Sequence, residues 1–185
     1  MIKTIIESST LKALLMFASK GDIRYYLNTL HIEQGVTGMH AVTTDGHSLM
    51  VVVLDTTPAE PAKILIHRDH VEAVIKMKID QVAIEQLPDN QVKIGNLTVP
   101  TAEGIFPDWR RVLRVEQNGE IAYYQPEYLD RVNKAGRIVK GNKKLYLVRQ
   151  NGLAVGYAQL SNNAYAYVMP VRTTSDDLPE PPQFS

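Results

Sequence analysis

Apolar residues recur at helical spacing in three segments of the chain, and each segment predicts an amphipathic helix. The residues that set this spacing are Leu11, Leu14, Leu15 and Ala18, then Val71, Val74 and Ile75, and finally Tyr128, Leu129, Val132 and Ala135. Ser8, Ser9 or Thr10 is expected to cap the first helix. Pro126 and Gly136 suit the start and the end of the third. The three segments lie about 60 residues apart, which predicts an internal repeat.

Short strand-like runs surround these helices. β-prone residues precede the helices at 3–6, 63–66 and 121–124, and further strands are predicted at 49–54, 81–85 and 144–148. The residue pairs that tolerate the positive φ angles of hairpin turns are Asp45-Gly46, Asp89-Asn90, Gly95-Asn96 and Asn151-Gly152. The pattern predicts an α+β fold of three β-α-β-β-β units, in which antiparallel sheets carry the helices on one face.

The predicted units also suggest domain boundaries. We expect the first two units, at 1–58 and 59–113, to form one domain, and the third unit to occupy 119–172. The remaining residues, 173–185, are rich in proline and acidic side chains and are expected to be disordered.

Composition narrows the class of protein. Apolar residues make up 44% of the 185 residues, which favours a globular chain. Twenty basic residues balance twenty acidic ones, so net charge alone provides no attraction to nucleic acid. Cysteine is absent, which excludes disulfides and thiolate chemistry. The first residues lack a signal-peptide core and no apolar run has membrane-spanning length, so a soluble, cytoplasmic protein is expected.

Several short motifs follow one another along the chain. They are Arg-Tyr-Tyr-Leu-Asn at 24–28, Thr-Asp-Gly-His at 44–47, Phe-Pro-Asp-Trp-Arg-Arg-Val-Leu at 106–113, Tyr-Gln-Pro-Glu-Tyr-Leu at 124–129 and Tyr-Val-Met-Pro-Val-Arg at 167–172. Together these motifs resemble the signature segments of the bacterial DNA polymerase III beta sliding clamp family, in the same order. The resemblance covers most of the chain outside the tail and implies the DNA clamp fold.

The resemblance has departures. The first two units resemble the middle domain of a clamp and the third resembles the last half of its C-terminal domain, whereas a typical clamp chain has six units and two chains close a ring around DNA. Ser48 stands where the family usually has arginine, Arg114 replaces a proline, and Val171 replaces a methionine. A clamp-like protein of phage or prophage origin would fit this pattern.

In the family, a hydrophobic groove receives a short peptide from polymerase and from other partners. The resemblance implies a groove formed by Leu27, Thr44, Gly46, His47, Leu49, Val112, Val168, Met169, Pro170, Val171 and Arg172. Leucine, valine and methionine would supply apolar walls, while His47 and Arg172 would offer polar contacts at the rim. Taken singly, Leu27, Leu49 and Val112 fit ordinary core residues at strand ends better than they fit a groove.

Contacts to DNA are expected on the face that carries the helices, through phosphate charge with little base reading. The predicted contacts are Arg24, Tyr25, Tyr26, Arg131, Lys134 and Arg137. The first three match a family segment that touches DNA, and the others belong to a stretch at 114–149 with eight basic and four acidic residues. Weaker candidates are Lys12, Lys20, Arg68, Lys76 and Lys78. For any single lysine, a solvated surface position is the simpler interpretation.

Catalytic and metal sites find little support in the sequence. Asp45, His47 and Ser48 have the residue types of a hydrolase triad, but the spacing of a nucleophile elbow is missing around Ser48. His67, His70 and Asp69 could share one helix turn, yet a second ligand cluster is missing. Phosphate-loop and dinucleotide motifs are also absent. We therefore expect no enzyme, no cofactor and no metal.

Two main functional hypotheses follow. The first is a clamp-like DNA-binding processivity or tethering factor, which would bind double-stranded DNA and a DNA polymerase or other clamp-motif proteins. An unpaired third unit predicts a homo-oligomer, either a dimer or a tetramer. The alternative is an adaptor or decoy that binds clamp-motif peptides without encircling DNA. A small enzyme built around Asp45, His47 and Ser48 is the third possibility.

Overall fold

The computed structural model of the chain describes residues 1–113, 122–140, 152 and 154–172. Four helices and ten strands lie within these residues. The helices are α1 (Ser8–Leu15), α2 (Arg68–Lys76), α3 (Arg110–Leu113) and α4 (Pro126–Lys140), and a 3-10 helix spans Tyr25–Asn28. The strands are β1 (Lys3–Glu7), β2 (Thr29–Gly35), β3 (Gly38–Thr44), β4 (Ser48–Asp55), β5 (Ala62–His67), β6 (Gln81–Leu87), β7 (Gln91–Ile94), β8 (Leu97–Pro100), β9 (Gly156–Gln159) and β10 (Ala164–Val168).

The strands form two antiparallel sheets that exchange strands between the predicted repeats. One sheet has the order β1-β6-β7-β8, and the other has the order β5-β2-β3-β4-β10-β9. β1, the first strand of the first repeat, pairs with β6 of the second repeat, so that Ile5 faces Ala83. Conversely, β5, the first strand of the second repeat, pairs with β2 of the first, so that Leu65 faces His31. β10 adds to the free side of β4, with Ala166 opposite Met50. The predicted α+β fold with antiparallel sheets is confirmed.

Most predicted elements of the first two repeats occur where the sequence places them. The strands at 3–6, 49–54, 63–66 and 81–85 are present, as are the helices that begin near residues 8 and 68. Positive φ angles at Gly46, Asp89, Asn90 and Gly95 confirm three of the predicted hairpin turns. Gly152 also has a positive φ angle, but its predicted partner Asn151 lies outside the described residues, as does the predicted strand at 144–148.

The helix ends differ from the prediction at two places. Ser8 lies inside α1 instead of capping it, and Glu7 occupies the cap position without a side-chain cap bond. The backbone N–H of Ser8 donates to the carbonyl of Asp80 (2.8 Å), so a neighbouring chain segment satisfies this helix end. Gly136 does not end the third helix, since α4 continues to Lys140. Gly136 is buried, as is Ala135, which is consistent with small residues packing at a helix contact.

The strand predicted at 121–124 is also wrong over the residues that the structure describes. Residue 121 lies outside them, and residues 122–125 have no regular secondary structure. The backbone N–H of Val171 donates to the carbonyl of Tyr123 (2.7 Å) and connects this stretch to the chain that follows β10.

The core lies between the sheets and the three longer helices. α1 packs against both α2 and α4, and its buried face includes Leu11 and Leu14. Alternate residues of β4 point to opposite faces of the six-stranded sheet. Met50 and Val52 join the core beneath the helices, whereas Leu49 and Val51 join a second apolar cluster with Val42 and Trp109. The sheet is thus covered on both faces at this end, and the second cluster borders the candidate site.

Candidate functional site

A cavity of about 180 Å³ opens beside the second apolar cluster. Four stretches of the chain surround it, and each of them contains a motif found in the sequence. The lining residues are Arg24, Tyr26 and Leu27; Thr44, Gly46, His47, Ser48 and Leu49; Pro107, Asp108, Trp109 and Val112; and Val155, Tyr167 and Met169. Most of the surface they expose to the cavity is apolar. Such a concave apolar site with a few polar groups at its edge suits a peptide or another small ligand.

The turn between β3 and β4 forms one wall of this cavity. Gly46 has a φ of 91°, a conformation that glycine adopts without strain. The Asp45 carboxylate accepts hydrogen bonds from the backbone N–H of His47 (2.9 Å) and of Ser48 (2.7 Å). The Thr44 hydroxyl accepts from Gly46 N–H (3.0 Å) and donates to the Ser48 carbonyl (2.8 Å). Side chains of the turn therefore satisfy its backbone and fix its shape.

The contacts of Asp45 also stabilise the charged form of its carboxyl group. Burial alone would raise the pKa of this carboxyl, but hydrogen bonds from Arg131 and from the N–H groups of Ser48 and His47 outweigh that effect. The pKa of Asp45 is therefore below its usual value. Arg131 belongs to α4, and its guanidinium also donates to the Ser48 hydroxyl (2.6 Å).

The stretch from Asp22 to Asn28 forms a second wall. Arg24 makes a two-pronged ion pair with Asp22, with nitrogen–oxygen distances of 3.0 and 2.8 Å. The Asn28 side chain accepts a hydrogen bond from the backbone N–H of Asp22 (3.0 Å) and donates one to the Asp22 carbonyl (2.8 Å). Hydrogen bonds from Arg24 lower the pKa of Asp22 to about 2. These bonds hold the 3-10 helix so that Tyr26 and Leu27 face the cavity.

The third wall is the segment at 106–113, which is fastened to the outer face of β2. Trp109 is buried, and its indole N–H donates to Glu33 (3.2 Å). Arg110 also binds Glu33, and its guanidinium lies 4.2 Å from the Trp109 ring centroid. The ring of Phe106 stacks on His31 with centroids 4.5 Å apart. Two side chains of β2, Glu33 and His31, thus hold this segment against the sheet.

The fourth wall comes from the last two strands. Val155 is buried just before β9, while Tyr167 and Met169 lie at the end of β10. The N–H of Met169 donates to the His47 carbonyl (2.8 Å), which connects this wall directly to the β3–β4 turn. Burial raises the pKa of Tyr167. The Met169 side chain remains 39% exposed and can adapt to a ligand.

The structure brings seven of the eleven predicted groove residues to the cavity. These are Leu27, Thr44, Gly46, His47, Leu49, Val112 and Met169. The other four do not line it. Val168 points into the core and is fully buried, because strand residues alternate and its neighbour Tyr167 faces the cavity. Pro170, Val171 and Arg172 continue past the cavity, and Val171 bonds to Tyr123.

Sequence reasoning missed eight lining residues. Arg24 and Tyr26 were expected to contact DNA, yet they lie on the cavity wall. Ser48, Pro107, Asp108, Trp109 and Tyr167 belong to or adjoin the recognised motifs, so those motifs could have indicated them. Val155 lies in no motif, and nothing in the sequence pointed to it.

The predicted DNA contacts are scattered in the structure. Tyr25 is 76% exposed, and Arg137 is exposed on α4. Lys134 is exposed as well but forms an ion pair with Asp130 one turn earlier. Arg131 is engaged by Asp45 and Ser48. Of the basic stretch at 114–149, Arg114, Lys143, Lys144 and Arg149 lie outside the described residues, as does the side chain of Lys140.

The three residues of the hypothetical triad, Asp45, His47 and Ser48, make structural contacts. The Ser48 hydroxyl donates to Asp45 (3.1 Å) and accepts from Arg131, while the His47 ring stacks on Tyr128. Near α2, His67 Nδ1 lies 3.5 Å from Asp69. Among the residues described here, no group of three or more His, Asp or Glu side chains is arranged to hold a metal ion. Within the same residues, no helix is long and apolar enough to cross a membrane.

Comparison with known proteins finds similar sequences among beta sliding clamps. The beta sliding clamp of Proteus mirabilis is 31% identical over 122 residues, which are 60% of this chain and 31% of that protein. That of Escherichia coli K12 is 31% identical over 99 residues, which are 50% of this chain and 27% of that protein. The chain thus matches about a third of the length of these curated relatives. No family model matches it.

Solved structures of clamps share the fold. A DnaN sliding clamp from Pseudomonas aeruginosa bound to griselimycin has a TM-score of 0.62 at 15% identity, and the match covers 93% of this chain and 66% of that one. The DNA polymerase III beta subunit from Thermotoga maritima has a TM-score of 0.65 at 12% identity, over 94% and 66% of the two chains. The chain therefore has the DNA clamp fold that its motifs implied.

Proposed function

Because the matched sequences and the shared fold support this chain as a member of the beta sliding clamp family, we propose that it is a tethering factor without enzymatic activity. It binds double-stranded DNA and presents the cavity described above to a short peptide of a partner protein. The partner is a DNA polymerase or another protein that carries a clamp-binding motif. Such a replication role belongs in the cytoplasm, and a phage or prophage origin remains a prediction.

The observation that carries the proposal is the cavity itself. Motif segments distant in sequence, at 24–28, 44–47, 106–113 and 167–172, meet around one apolar space. Each segment is held by its own hydrogen bonds, so the space exists before any ligand arrives. A preformed groove loses little conformational entropy on binding, which favours affinity for a short extended segment.

The chemistry of the groove favours a peptide with bulky apolar side chains. Leu27, Leu49 and Trp109 give the base of the cavity an apolar surface, and Met169 gives it an adaptable edge. His47 and Asp108 supply polar groups at the edge for the backbone or a polar side chain of the peptide. Arg24 is neutralised by Asp22, so the groove does not select strongly for an acidic ligand.

Binding to DNA is assigned to the helices, on the side of the sheets away from Trp109. The exposed basic side chains there include Lys12 on α1, Lys76 on α2, and Lys134 and Arg137 on α4. They would neutralise phosphates without reading bases, so the affinity should fall as the salt concentration rises. The protein acts as a homo-oligomer, because a dimer or a tetramer holds a duplex from more than one side.

A second candidate function is the adaptor or decoy that binds clamp-motif peptides without holding DNA. The observation that favours it is the pairing of basic residues on α4. Arg131 binds Asp45 and Lys134 binds Asp130, so two of the three predicted DNA contacts on this helix are offset by acids. Basic side chains that are already paired with acids attract phosphate less strongly than free ones do.

Peptide binding tests the groove directly. The probe is a fluorescein-labelled peptide that carries the clamp-binding motif of a bacterial DNA polymerase, measured by fluorescence anisotropy. Val112 lines the cavity and is 41% exposed, so Val112→Asp should leave the fold intact and place a carboxylate against the apolar peptide. We expect the affinity to fall by about tenfold or more.

The matched control is Ile105→Asp. Ile105 is 80% exposed in the stretch that precedes α3 and does not line the cavity, so this variant should bind as the wild type does. Griselimycin is a second probe, because the Pseudomonas aeruginosa clamp was solved bound to it, and it should compete with the peptide. The groove assignment is wrong if the wild type binds neither probe, or if both Asp variants bind the peptide equally well.

A further inference from the structure

Arg131 lies outside the cavity but contacts the residue that shapes one of its walls. We propose that Arg131 is a positioning residue for peptide binding, which acts through Asp45 to hold the β3–β4 turn against α4. The inference rests on the proposed binding of a peptide in the groove. It assigns to Arg131 a role different from the phosphate contact predicted from the sequence.

The Asp45 carboxylate binds partners with both of its oxygens. One oxygen, Oδ1, accepts from the backbone N–H of His47, from that of Ser48 and from the Ser48 hydroxyl. The other oxygen, Oδ2, binds Arg131. The same guanidinium nitrogen also reaches the Ser48 hydroxyl at 2.6 Å. Asp45, Ser48 and Arg131 therefore form a closed polar cluster at the base of the turn.

The side chains of Asp45 and Arg131 are both largely buried. The Asp45 side chain is only 15% exposed and that of Arg131 is 24% exposed. A carboxylate so far removed from water needs a cationic partner to remain charged, and without it the group is strongly destabilised. Among the described residues, the charged or titratable side chains that interact with Asp45 are Arg131 and Tyr128 from α4 and Arg24 from the neighbouring wall, while His47 contributes its backbone N–H. Arg24 is already paired with Asp22, which leaves Arg131 as the direct partner.

The β3–β4 turn connects this polar cluster to the cavity. The turn contributes Thr44, Gly46 and His47 to the cavity, whereas Arg131 contributes nothing to its lining. Tyr128 supports the same arrangement, because its ring stacks on His47 with centroids 5.9 Å apart and lies 5.2 Å from the Arg131 guanidinium. Since His47 also accepts a bond from Met169, a displaced turn would disturb two walls of the groove together.

The experiment is a double-mutant cycle on peptide affinity, with the labelled clamp-motif peptide as probe. Arg131→Met removes the partner of Asp45, and we expect an affinity loss of about tenfold. Asp45→Asn keeps an oxygen that accepts from the turn N–H groups but removes the charge that needs Arg131. In that background Arg131→Met should change the affinity by less than about twofold, because its effect passes through Asp45. Arg131→Lys should recover part of the loss.

Two further measurements separate the possible outcomes. Lys3→Met is the matched control, since it removes the cation of the Lys3–Glu85 ion pair far from the groove, and its affinity should equal that of the wild type. Hydrogen exchange of the His47 and Ser48 amides tests the turn without any peptide, and it should accelerate in Arg131→Met. If the wild type binds no peptide, the groove function fails while the exchange result still reports on the turn. Equal losses from Arg131→Met with and without Asp45→Asn, or unchanged exchange, would overturn the positioning role.

Discussion

Glu33 illustrates how one residue holds a large part of the site. It lies on the outer face of β2 and meets His31 (3.0 Å), the Trp109 indole and the Arg110 guanidinium. Burial alone would raise the pKa of this carboxyl, but the bonds from His31 and Arg110 outweigh that effect and lower its pKa to about 2. The charged form is therefore the one that the folded chain stabilises.

This assignment predicts a pH-dependent effect of Glu33→Gln. The pKa of Glu33 is lowered from 4.5 to about 2 on folding, so its contribution is complete above pH 4.5 and is lost as the pH falls toward 2. Chemical denaturation at neutral pH should show a loss of about 1–3 kcal/mol in the free energy of unfolding. The difference between variant and wild type should shrink in acid.

The control for this prediction is Glu85→Gln. Glu85 pairs with Lys3 on the exposed surface at 3.5 Å, and such pairs contribute little to stability, so the loss should stay below about 1 kcal/mol. A Glu33→Gln loss that is the same at every pH, or that is no larger than the Glu85→Gln loss, would contradict the role given to Glu33.

Individual residues also mark the limit of what the sequence could predict. The family resemblance placed His47, Leu49 and Met169 in one groove, and all three line the cavity. Signature segments of a family can mark residues of one site even when those residues are distant in the chain. They did not identify the pairing of Asp45 with Arg131, which depends on how α4 lies against the turn. A basic residue in a basic stretch looks like a surface residue until its partner is known.

At the scale of elements, the repeat pattern predicted helices and strands better than it predicted their partners. Alternation and turn pairs correctly indicated β4 and β6. Neither signal could reveal that β1 pairs with strands of the second repeat and β5 with strands of the first. Backbone pairing between distant strands does not produce a periodic pattern in the sequence. Likewise, the glycine at 136 is a common helix end, but here it is buried in α4.

The junction of β4 with β10 provides a pattern for the predicted association of two chains. β4 ends the first repeat, β10 ends the third, and the two strands pair antiparallel. β8 ends the second repeat, and within the described part of the chain only β7 pairs with it. An antiparallel pair of β8 strands from two copies would repeat the β4–β10 junction and would have two-fold symmetry, as an isologous dimer requires.

Light scattering across a concentration series tests this association. We expect a mass of two chains, or of four if a further surface is used, and a lower mass for Thr98→Pro. A proline at Thr98 in β8 is expected to impair pairing at the sheet edge, because it removes a backbone N–H group and restricts the chain. A wild type that remains a single chain at micromolar concentration would contradict self-association, and a Thr98→Pro variant of unchanged mass would place the contact elsewhere.

At the scale of the whole molecule, the groove and the three longer helices lie on different sides of the six-stranded sheet. Leu49 and Trp109 belong to the cluster beside the groove, whereas α1, α2 and α4 cover the opposite face. A peptide and a duplex could therefore be held at the same time without competing for one surface. A tethering factor needs both surfaces, whereas a decoy needs only the groove.

The measurement that tests this account most directly is retention of the labelled peptide on duplex DNA attached to beads, at low salt. We predict that the wild-type protein retains the peptide, that Val112→Asp does not, and that added salt releases protein and peptide together. A peptide that binds the protein in solution but is never retained on the DNA would contradict the tethering function and favour the decoy.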